Sequence, residues 1–214
     1  MSTPEPHPPA AYHHGDLRRA LLDAAGAILA ETGQWDFSLR EVARRAGVSH
    51  NAPYRHFAGK EALLAAVAVA GYEALREHTS AAAADEADAV AALTAVGRAY
   101  IGFGIANPAL YRLMFGRGLS GMGGVSPEVV TAARANRAVV REVIVSGARG
   151  GRFTVDPYSQ RDIAATVVAA GSLVHGLTLS TIDGIVERVV DKAPVDDLVA
   201  RVLRRFIVGL TRAE

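Results

Sequence analysis

Side chains that could read a nucleic acid are concentrated in one short segment, residues 49–57, with the sequence SHNAPYRHF. Those that we expect to be exposed there are His50, Asn51, Ala52, Tyr54 and Arg55. Asparagine can form two hydrogen bonds with an adenine edge, arginine can do the same with guanine, and an alanine methyl can contact the thymine methyl. Tyr54, the nearby Lys60 and the backbone amides that follow Ser49 are suitable partners for phosphates. This chemistry predicts a contact with DNA.

Two short predicted helices position these side chains. Ser38 and Glu41 fit a capping box at the start of the first helix, which we expect to last about two turns. Gly47 supplies the turn, because a helix C-terminus favours a residue that can adopt a positive φ, and Ser49 is the next N-cap. Pro53 is expected to cost the second helix no more than its first intrahelical hydrogen bond. Two helices joined by such a turn form a helix-turn-helix.

The charge distribution also indicates a local anionic partner. Residues 38–60 contain five cations and one anion, whereas the whole chain has a net charge of only +1. A small basic segment on a nearly neutral body favours a local contact with an anion over general coating of polyanions. The alternative is a capped helix pair whose basic face is merely solvated, with Arg44 and Arg45 as ordinary surface residues.

Several kinds of catalytic site are missing from the sequence. The chain has no cysteine, which excludes disulfides, thiolate metal sites and a cysteine nucleophile. It also has no glycine-rich phosphate loop, no G-x-S-x-G motif and no pair of Glu-x-x-His motifs for a di-metal centre in a helical bundle. We therefore predict that the protein is not an enzyme and has neither a metal site nor a cofactor.

Two segments bear on localisation. Residues 1–14 hold four prolines and no apolar run, which predicts a disordered tail and no secretory signal. Residues 163–182 run for 20 positions without a charged side chain, long enough to span a membrane, but they include five Ser or Thr, two Gly and His175 and lack flanking aromatic residues. A helix buried in protein is the better interpretation. We expect a soluble, cytoplasmic protein without a membrane partner.

The remaining pattern is helical throughout. No segment shows the strict alternation of a strand, and no hairpin dipeptide lies between β-branched runs. We predict an all-α fold with an N-terminal three-helix helix-turn-helix domain at 15–60 and a larger helical domain at 61–214, whose effector-binding and dimerisation roles rest on the resemblance described below. Residues 116–125 hold five glycines and are expected to form a loop.

The segment SLREVARRAGVSHNAPYRHFAGKEALL, preceded by ILAETG, resembles the DNA-binding domain of the TetR family of bacterial transcriptional regulators. The matching positions are Gly33, Ser38, Val42, Ala43, Ala46, Gly47, Val48, Ser49, Tyr54, His56, Phe57, Lys60, Glu61 and Leu63. The resemblance implies that phosphates are contacted by Ser38, Ser49, Tyr54, His56 and Lys60. It implies that bases are faced by His50, Asn51 and Ala52. Arg44 and Arg55 complete our set of candidate DNA contacts, and the Ala52-Pro53 pair departs from the family's commoner Thr-Leu.

The rest of the chain resembles a TetR C-terminal domain type named after a Trp-His-Gly motif, through NPALYRLMFG and LVHGL. Valine stands here where the motif has tryptophan. The resemblance implies a pocket for a small-molecule effector inside the helical domain, lined by apolar groups with few polar ones. The candidate lining residues are Tyr100, Phe103, Tyr111, Met114, Phe115 and His175. For each of them an ordinary core or structural role is an equal alternative, and the loop at 116–125 is either a gate or merely loose.

Homodimerisation is predicted by two helices that are too apolar for one domain to bury. They are the uncharged helix at 163–182 and the last helix, and two copies of each would form a four-helix interface. The candidate interface residues are Val167, Val174, Leu198, Val202, Phe206 and Leu210. Together these features predict a repressor that binds a palindromic operator in double-stranded DNA and is released by a small-molecule effector. The alternative is an architectural protein that binds DNA without regard to sequence.

Overall fold

The computed structural model describes residues 14–116, 126–189 and 194–211. Within these ranges the chain is helical and contains no strand, apart from one isolated bridge between Phe153 and Thr211, which confirms the predicted all-α class. By its internal contacts the chain divides into two compact units, Met1–Leu64 and Ala65–Glu214. Residues 1–13 of the predicted tail and 117–125 of the predicted loop lie outside the described residues.

The first unit is built from helices α1 (His14–Thr32) and α2 (Leu39–Arg45), a 3₁₀ turn (Pro53–Arg55) and the start of α3 (Lys60–Ala84). Helix α2 begins where the capping box predicts, because Ser38 Oγ accepts a hydrogen bond of 3.2 Å from the amide of Glu41. It ends before Gly47, which adopts the predicted positive φ of 68°. Val42 and Phe57 are buried in the core of this unit.

The predicted second helix of the motif is shorter and tighter than expected. Between Ser49 and Phe57 the only regular element is the 3₁₀ turn, with hydrogen bonds from the amide of Ala52 to Ser49 O and from the amide of Arg55 to Ala52 O. Pro53 has no N–H to donate to Ser49 O, so an α-helical bond cannot form at the first turn. The expectation that this proline costs the helix no more than its first hydrogen bond is therefore wrong, although the amide of Phe57 does bond Pro53 O, four residues back, at 2.9 Å.

The second unit contains the rest of α3 and six further helices among the described residues. They are α4 (Ala89–Ala106), α5 (Pro108–Phe115), α6 (Pro127–Arg149), α7 (Gln160–Ile182), α8 (Ile185–Val189) and α9 (Val195–Leu210). Helix α4 lies at the centre and packs against α5, α6, α7 and α9. Asp88 and Ser126 cap α4 and α6, and the prolines at 108 and 127 occupy their favoured first-turn positions.

The main core of this unit surrounds Phe153, which is fully buried with Leu93, Ile144 and Ile163. Its ring lies directly against the backbone of Gly147, where a Cβ atom would overlap it. Gly147 therefore allows the chain after α6 to fold back onto that helix, which brings α6, α7 and α9 together around one aromatic side chain.

Helices α4 and α7 are long and apolar enough to cross a membrane by length and composition alone. The same composition is found in core helices of soluble proteins, and both helices pack against several others in this unit. On α7, however, Ala165, Val168, Ser172 and Gly176 lie three to four residues apart and are exposed, so one face of this helix remains uncovered within a single chain.

Candidate nucleic-acid interface and ligand cavity

The structure leaves most of the predicted DNA-contacting side chains accessible on the first unit. Those exposed are Ser38, Arg44, Ser49, His50, Asn51, Tyr54 and Arg55. His56 and Lys60 are half-buried. Ala52 is only 8% exposed, so the prediction that it is available for a base is wrong. The tight turn at Pro53 rotates Ala52 into the core, while the side chain of Tyr54 remains 55% exposed.

Two neighbouring arginines on α2 have different surroundings. The guanidinium of Arg45 forms a two-pronged ion pair with Glu31 on α1, with Nη1 2.6 Å from Oε2. This hydrogen bonding lowers the pKa of Glu31 and raises that of Arg45. Arg44 forms no ion pair with any described residue. Arg45 therefore joins α1 to α2, and Arg44, like the exposed Arg40 on the same helix, is available to a phosphate.

Ser38 and Lys60 are the first and last residues of the candidate interface in the sequence. The side chain of each already makes a contact within the protein. Ser38 Oγ accepts the capping bond, which leaves its hydrogen free for donation to a phosphate oxygen. Lys60 Nζ lies 5.9 Å from the centroid of the Phe37 ring, a cation–π distance. His56 Nε2 is buried and has no hydrogen-bond partner among the described residues.

The second unit contains a cavity of about 300 Å³ that is partly open to solvent. Its walls are mainly apolar and come from α3, α4, α5, α6, α7 and α9; the polar and aromatic residues that line it are Tyr72, Thr79, Tyr100, Phe115, Asn136, Arg137, Ser172 and His175. Three of the six predicted lining residues, Tyr100, Phe115 and His175, are among them. Such a cavity has the character of a site for a small, largely apolar molecule.

The other three predicted lining residues lie outside the cavity wall. Tyr111 is fully buried behind it, and Met114 is buried where α5 packs against Gly71 of α3. Phe103 lies beside His78, with ring centroids 6.5 Å apart. The helical spacing of these residues indicates burial, but it does not distinguish the side of α5 that faces the cavity from the side that faces the neighbouring helix.

A chain of polar side chains runs from α4 to α7 behind this wall. Tyr111 Oη lies 3.0 Å from Tyr100 Oη and 2.7 Å from His175 Nδ1. Burial raises the pKa of Tyr111 to about 12 and raises that of Tyr100, and it lowers the pKa of His175. All three groups are therefore neutral near pH 7, and they are joined by ordinary hydrogen bonds.

Tyr72 and Asn136 are cavity residues that sequence reasoning missed. The hydroxyl of Tyr72 donates to Met114 O at 2.9 Å, and burial raises its pKa to about 12. Asn136 is 8% exposed, and its Oδ1 has no hydrogen-bond partner among the described residues. An asparagine inside an otherwise amphipathic helix could have been noticed in the sequence, but its direction depends on how α6 packs.

The predicted dimer-interface residues are only partly available on the surface of one chain. Val167, Phe206 and Leu210 pack against the core around Phe153, and Val174 packs against the core around Ile101. Leu198 and Val202 on α9 are half-exposed. The more exposed apolar side chains on these two helices are Val168 on α7, at 66%, and Val208 on α9, at 64%.

The fold and these two sites describe a helix-turn-helix protein with a separate helical unit that contains a cavity. Residues 21–67 match the family model of the bacterial regulatory proteins of the tetR family, and residues 93–206 match that of the tetracyclin repressor-like C-terminal domain. The chain belongs to the TetR family of transcriptional regulators, as its sequence motif predicted. Members of this family are regulators rather than enzymes, which confirms that prediction. A comparison with curated proteins found no match.

Solved structures share this architecture over almost the whole chain. A protein with unknown function from Rhodococcus sp. RHA1 is 32% identical, with a TM-score of 0.81, over 95% of this chain and 100% of that chain. A TetR family transcription regulator from Marinobacter aquaeolei is 17% identical, with a TM-score of 0.68, over 92% and 96%. The regulator FadR from Bacillus subtilis, solved in complex with stearoyl-CoA, is 15% identical, with a TM-score of 0.67, over 89% and 98%.

Proposed function

We propose that the protein is a transcriptional repressor that binds a palindromic operator as a homodimer and is released from it by a small-molecule effector. The observation that carries this proposal is the exposed set of donors around the turn at Pro53, on a DNA-binding unit of the TetR family. His50, Asn51 and Arg55 supply base-reading groups, and Tyr54 and Arg44 supply phosphate contacts. The expected location is the cytoplasm, where its operator lies.

The homodimer is supported by the uncovered face of α7. This helix carries no charged side chain from residue 163 to residue 182, yet one of its faces, which includes Ala165, Val168, Ser172 and Gly176, is exposed within one chain. A twofold axis beside α7 and α9 would cover this face with the same face of a second copy. A dimer would also place two reading segments on two half-sites, so a palindromic operator follows from it.

Release by an effector is supported by the cavity of the second unit, to which α3 contributes Tyr72 and Thr79. Tyr72 on α3 donates to Met114 O on α5 and also lines the cavity. Helix α3 begins in the first unit, so a molecule that favours one position of Tyr72 can bias the helix that carries the DNA-binding unit. A related fold, FadR of B. subtilis, was solved with stearoyl-CoA bound, which supports a ligand-responsive role.

Selection of genomic fragments by the purified full-length protein, at near-physiological salt, tests the proposal. The protein is first unfolded and refolded away from any bound ligand, so that an effector carried through purification cannot mask binding. Recovery of one palindrome is the expected result. Equal retention of all fragments would indicate the architectural alternative, and retention of none would contradict DNA binding.

Substitutions in the reading segment should separate base contacts from phosphate contacts. Asn51→Ala is expected to relax preference at one operator position, costing about 1–3 kcal/mol for the preferred base, because it removes a side chain that can bond a base edge twice. Tyr54→Ala and Lys60→Ala should weaken binding to all sequences, and Lys60→Ala should also reduce the salt slope by about one. Competition binding with operator variants at several salt concentrations measures both effects.

The matched control is Arg149→Ala, which removes one exposed positive charge from the second unit and should leave both preference and salt slope unchanged. If Asn51→Ala keeps the full operator preference, Asn51 does not read a base. If Arg149→Ala lowers the salt slope as much as Lys60→Ala does, the loss reflects net charge rather than a phosphate contact.

A further inference from the structure

The hydrogen-bond chain behind the cavity limits what the cavity can offer to a ligand. Tyr100 and His175 both line the cavity, and the fully buried Tyr111 bridges them through its single hydroxyl. Tyr111 Oη has one hydrogen, so it can donate in only one of the two directions. The direction that it takes fixes what remains available on the two residues that face the cavity.

Two arrangements of protons are available to a neutral histidine. If His175 Nδ1–H donates to Tyr111 and Tyr111 donates to Tyr100, the Tyr100 hydroxyl is left as a donor and His175 Nε2 as an acceptor. If Tyr111 donates to Nδ1 and Tyr100 donates to Tyr111, the Tyr100 oxygen is left as an acceptor and Nε2–H as a donor. In either arrangement the pair presents one donor and one acceptor.

The other polar groups of the cavity are consistent with this pairing. The hydroxyls of Tyr72 and Thr79 are committed as donors to Met114 O and Leu75 O, both at 2.9 Å. Asn136 is the remaining buried polar side chain, and its Oδ1 has no partner among the described residues. Leaving a buried amide oxygen without a partner is unfavourable, so a ligand that bonds this side chain recovers part of that cost. An amide can also serve as donor or acceptor, depending on which end faces the ligand.

The charge of the walls favours an uncharged ligand. Among the described residues no carboxylate lines the cavity. Arg137, the charged side chain in its wall, is exposed to water, and its charge only partly offsets the rise in pKa that burial causes at Tyr72 and Tyr100. The interior groups Tyr100, Asn136 and His175 are neutral, so they cannot offset the cost of removing an ion from water. A volume of about 300 Å³ corresponds to roughly ten water molecules, which suits a compact molecule of one or two rings.

We propose that the cavity binds a compact, uncharged, largely apolar molecule that carries one hydrogen-bond donor and one acceptor, such as a small lactam or hydroxyketone, held between Tyr100 and His175. This inference rests on the proposed function, because it assigns the chemical class of the effector at that same site. The apolar body of the ligand lies against Val96, Val140 and Leu203. The side-chain amide of Asn136 forms a hydrogen bond with the polar group of the ligand.

Calorimetric titration of the full-length, refolded protein tests this assignment with two probes and their methylated analogues. The probes are dihydroquinolinone, a bicyclic lactam, and hydroxytetralone; N-methylation or O-methylation removes the donor and keeps the skeleton. Each probe should bind at least about tenfold more tightly than its methylated analogue, because methylation leaves a buried acceptor unpaired. Naphthoate, a carboxylate of similar size, should bind more weakly than either probe.

Two conservative variants identify the residues responsible. Tyr100→Phe should reduce the preference over the methylated analogue to less than about threefold. Within the hydrogen-bond chain, Tyr111 can then donate only to His175 Nδ1, which makes Nε2–H a donor and leaves no acceptor for the ligand's hydrogen. Tyr158→Phe removes the same hydroxyl from a side chain that is 86% exposed and is not among the cavity-lining residues, so it should keep the preference. Circular dichroism establishes that both variants are folded. His175→Phe is a second test, because it removes the other end of the hydrogen-bond chain that Tyr111 forms with Tyr100 and His175.

Three results would overturn the assignment: tighter binding of naphthoate than of both neutral probes, equal binding of probes and methylated analogues, or no binding of any compound. These outcomes are distinct from failure of the proposed function, which would show as the absence of a selected DNA site for the refolded protein. A selected operator together with strong naphthoate binding would leave a ligand-responsive repressor with an anionic effector.

Discussion

Replacing Phe153 by alanine is expected to lower the free energy of unfolding by about 3–5 kcal/mol, the range for a fully buried phenylalanine that leaves a cavity. The ring has no exposed surface and lies among Leu93, Ile144 and Ile163. It also fills the space above Gly147, where no other side chain can enter without moving the chain after α6. Helices α6, α7 and α9 meet at this ring, so the loss should affect the whole second unit.

Denaturant unfolding of wild type and variant at one fixed protein concentration measures this loss, since dimerisation would otherwise shift the apparent stability. The matched control is Tyr158→Ala, which truncates an aromatic side chain five residues further along that is 86% exposed. It should change the free energy of unfolding by no more than about 0.5 kcal/mol. A loss below about 1 kcal/mol for Phe153→Ala would contradict the placement of this ring in the core.

The parts of the fold that could be predicted are those that depend on near neighbours in the sequence. The start of α2 follows from a bond between Ser38 and Glu41, three residues apart, and its end follows from the conformational freedom of Gly47. The family motif covers the same short segment. Pro53 lies in that segment too, but its effect was underestimated: a missing N–H early in a two-turn helix removes enough bonding to leave a 3₁₀ turn and to bury Ala52.

The cavity could be predicted only in part, because it depends on helices that are distant in sequence. Tyr111 and His175 are 64 residues apart, and nothing local in either segment indicates that their side chains share a hydrogen bond. Asn136 is distinguished from the other polar residues of α6 only by its burial, which is decided by the packing of α6 against its neighbours. Periodicity therefore identified residues that are buried but did not identify which of them face the empty space.

The apolar face of α7 illustrates the same limit for the proposed dimer. The absence of charge from residue 163 to residue 182 predicts more apolar surface than one chain buries, and Val168 is exposed on this helix, but the dimer itself stays a prediction. The particular residues chosen were less informative, since Val167 and Val174 pack against their own core and leave Val168 as the exposed valine of this helix. One residue along a helix rotates the side chain by about 100°, enough to move it from the core to the surface.

Val168→Glu should therefore convert the proposed dimer into a monomer and remove most of its affinity for a palindromic operator. Val168 is 66% exposed at the middle of the uncharged face of α7. A twofold interface contains each substituted residue twice, so two carboxylates would have to leave water together, and each unpaired buried carboxylate costs several kcal/mol. A monomer contacts one half-site only and loses the contribution of the second reading segment.

Sedimentation equilibrium at micromolar concentration distinguishes the single-chain mass of 22.4 kDa from twice that value. Wild type is expected at twice the chain mass and Val168→Glu at the chain mass, while Tyr158→Glu, which adds the same charge at a site that is 86% exposed, should stay dimeric. Val168 also lies at the cavity, but the measured mass does not depend on a ligand. A wild-type protein at the single-chain mass would refute the dimer. The uncovered face of α7 would then be exposed to solvent and not to a second copy. A dimeric Val168→Glu variant would instead move the interface away from α7, and the palindromic operator would then need a different arrangement of the two reading segments.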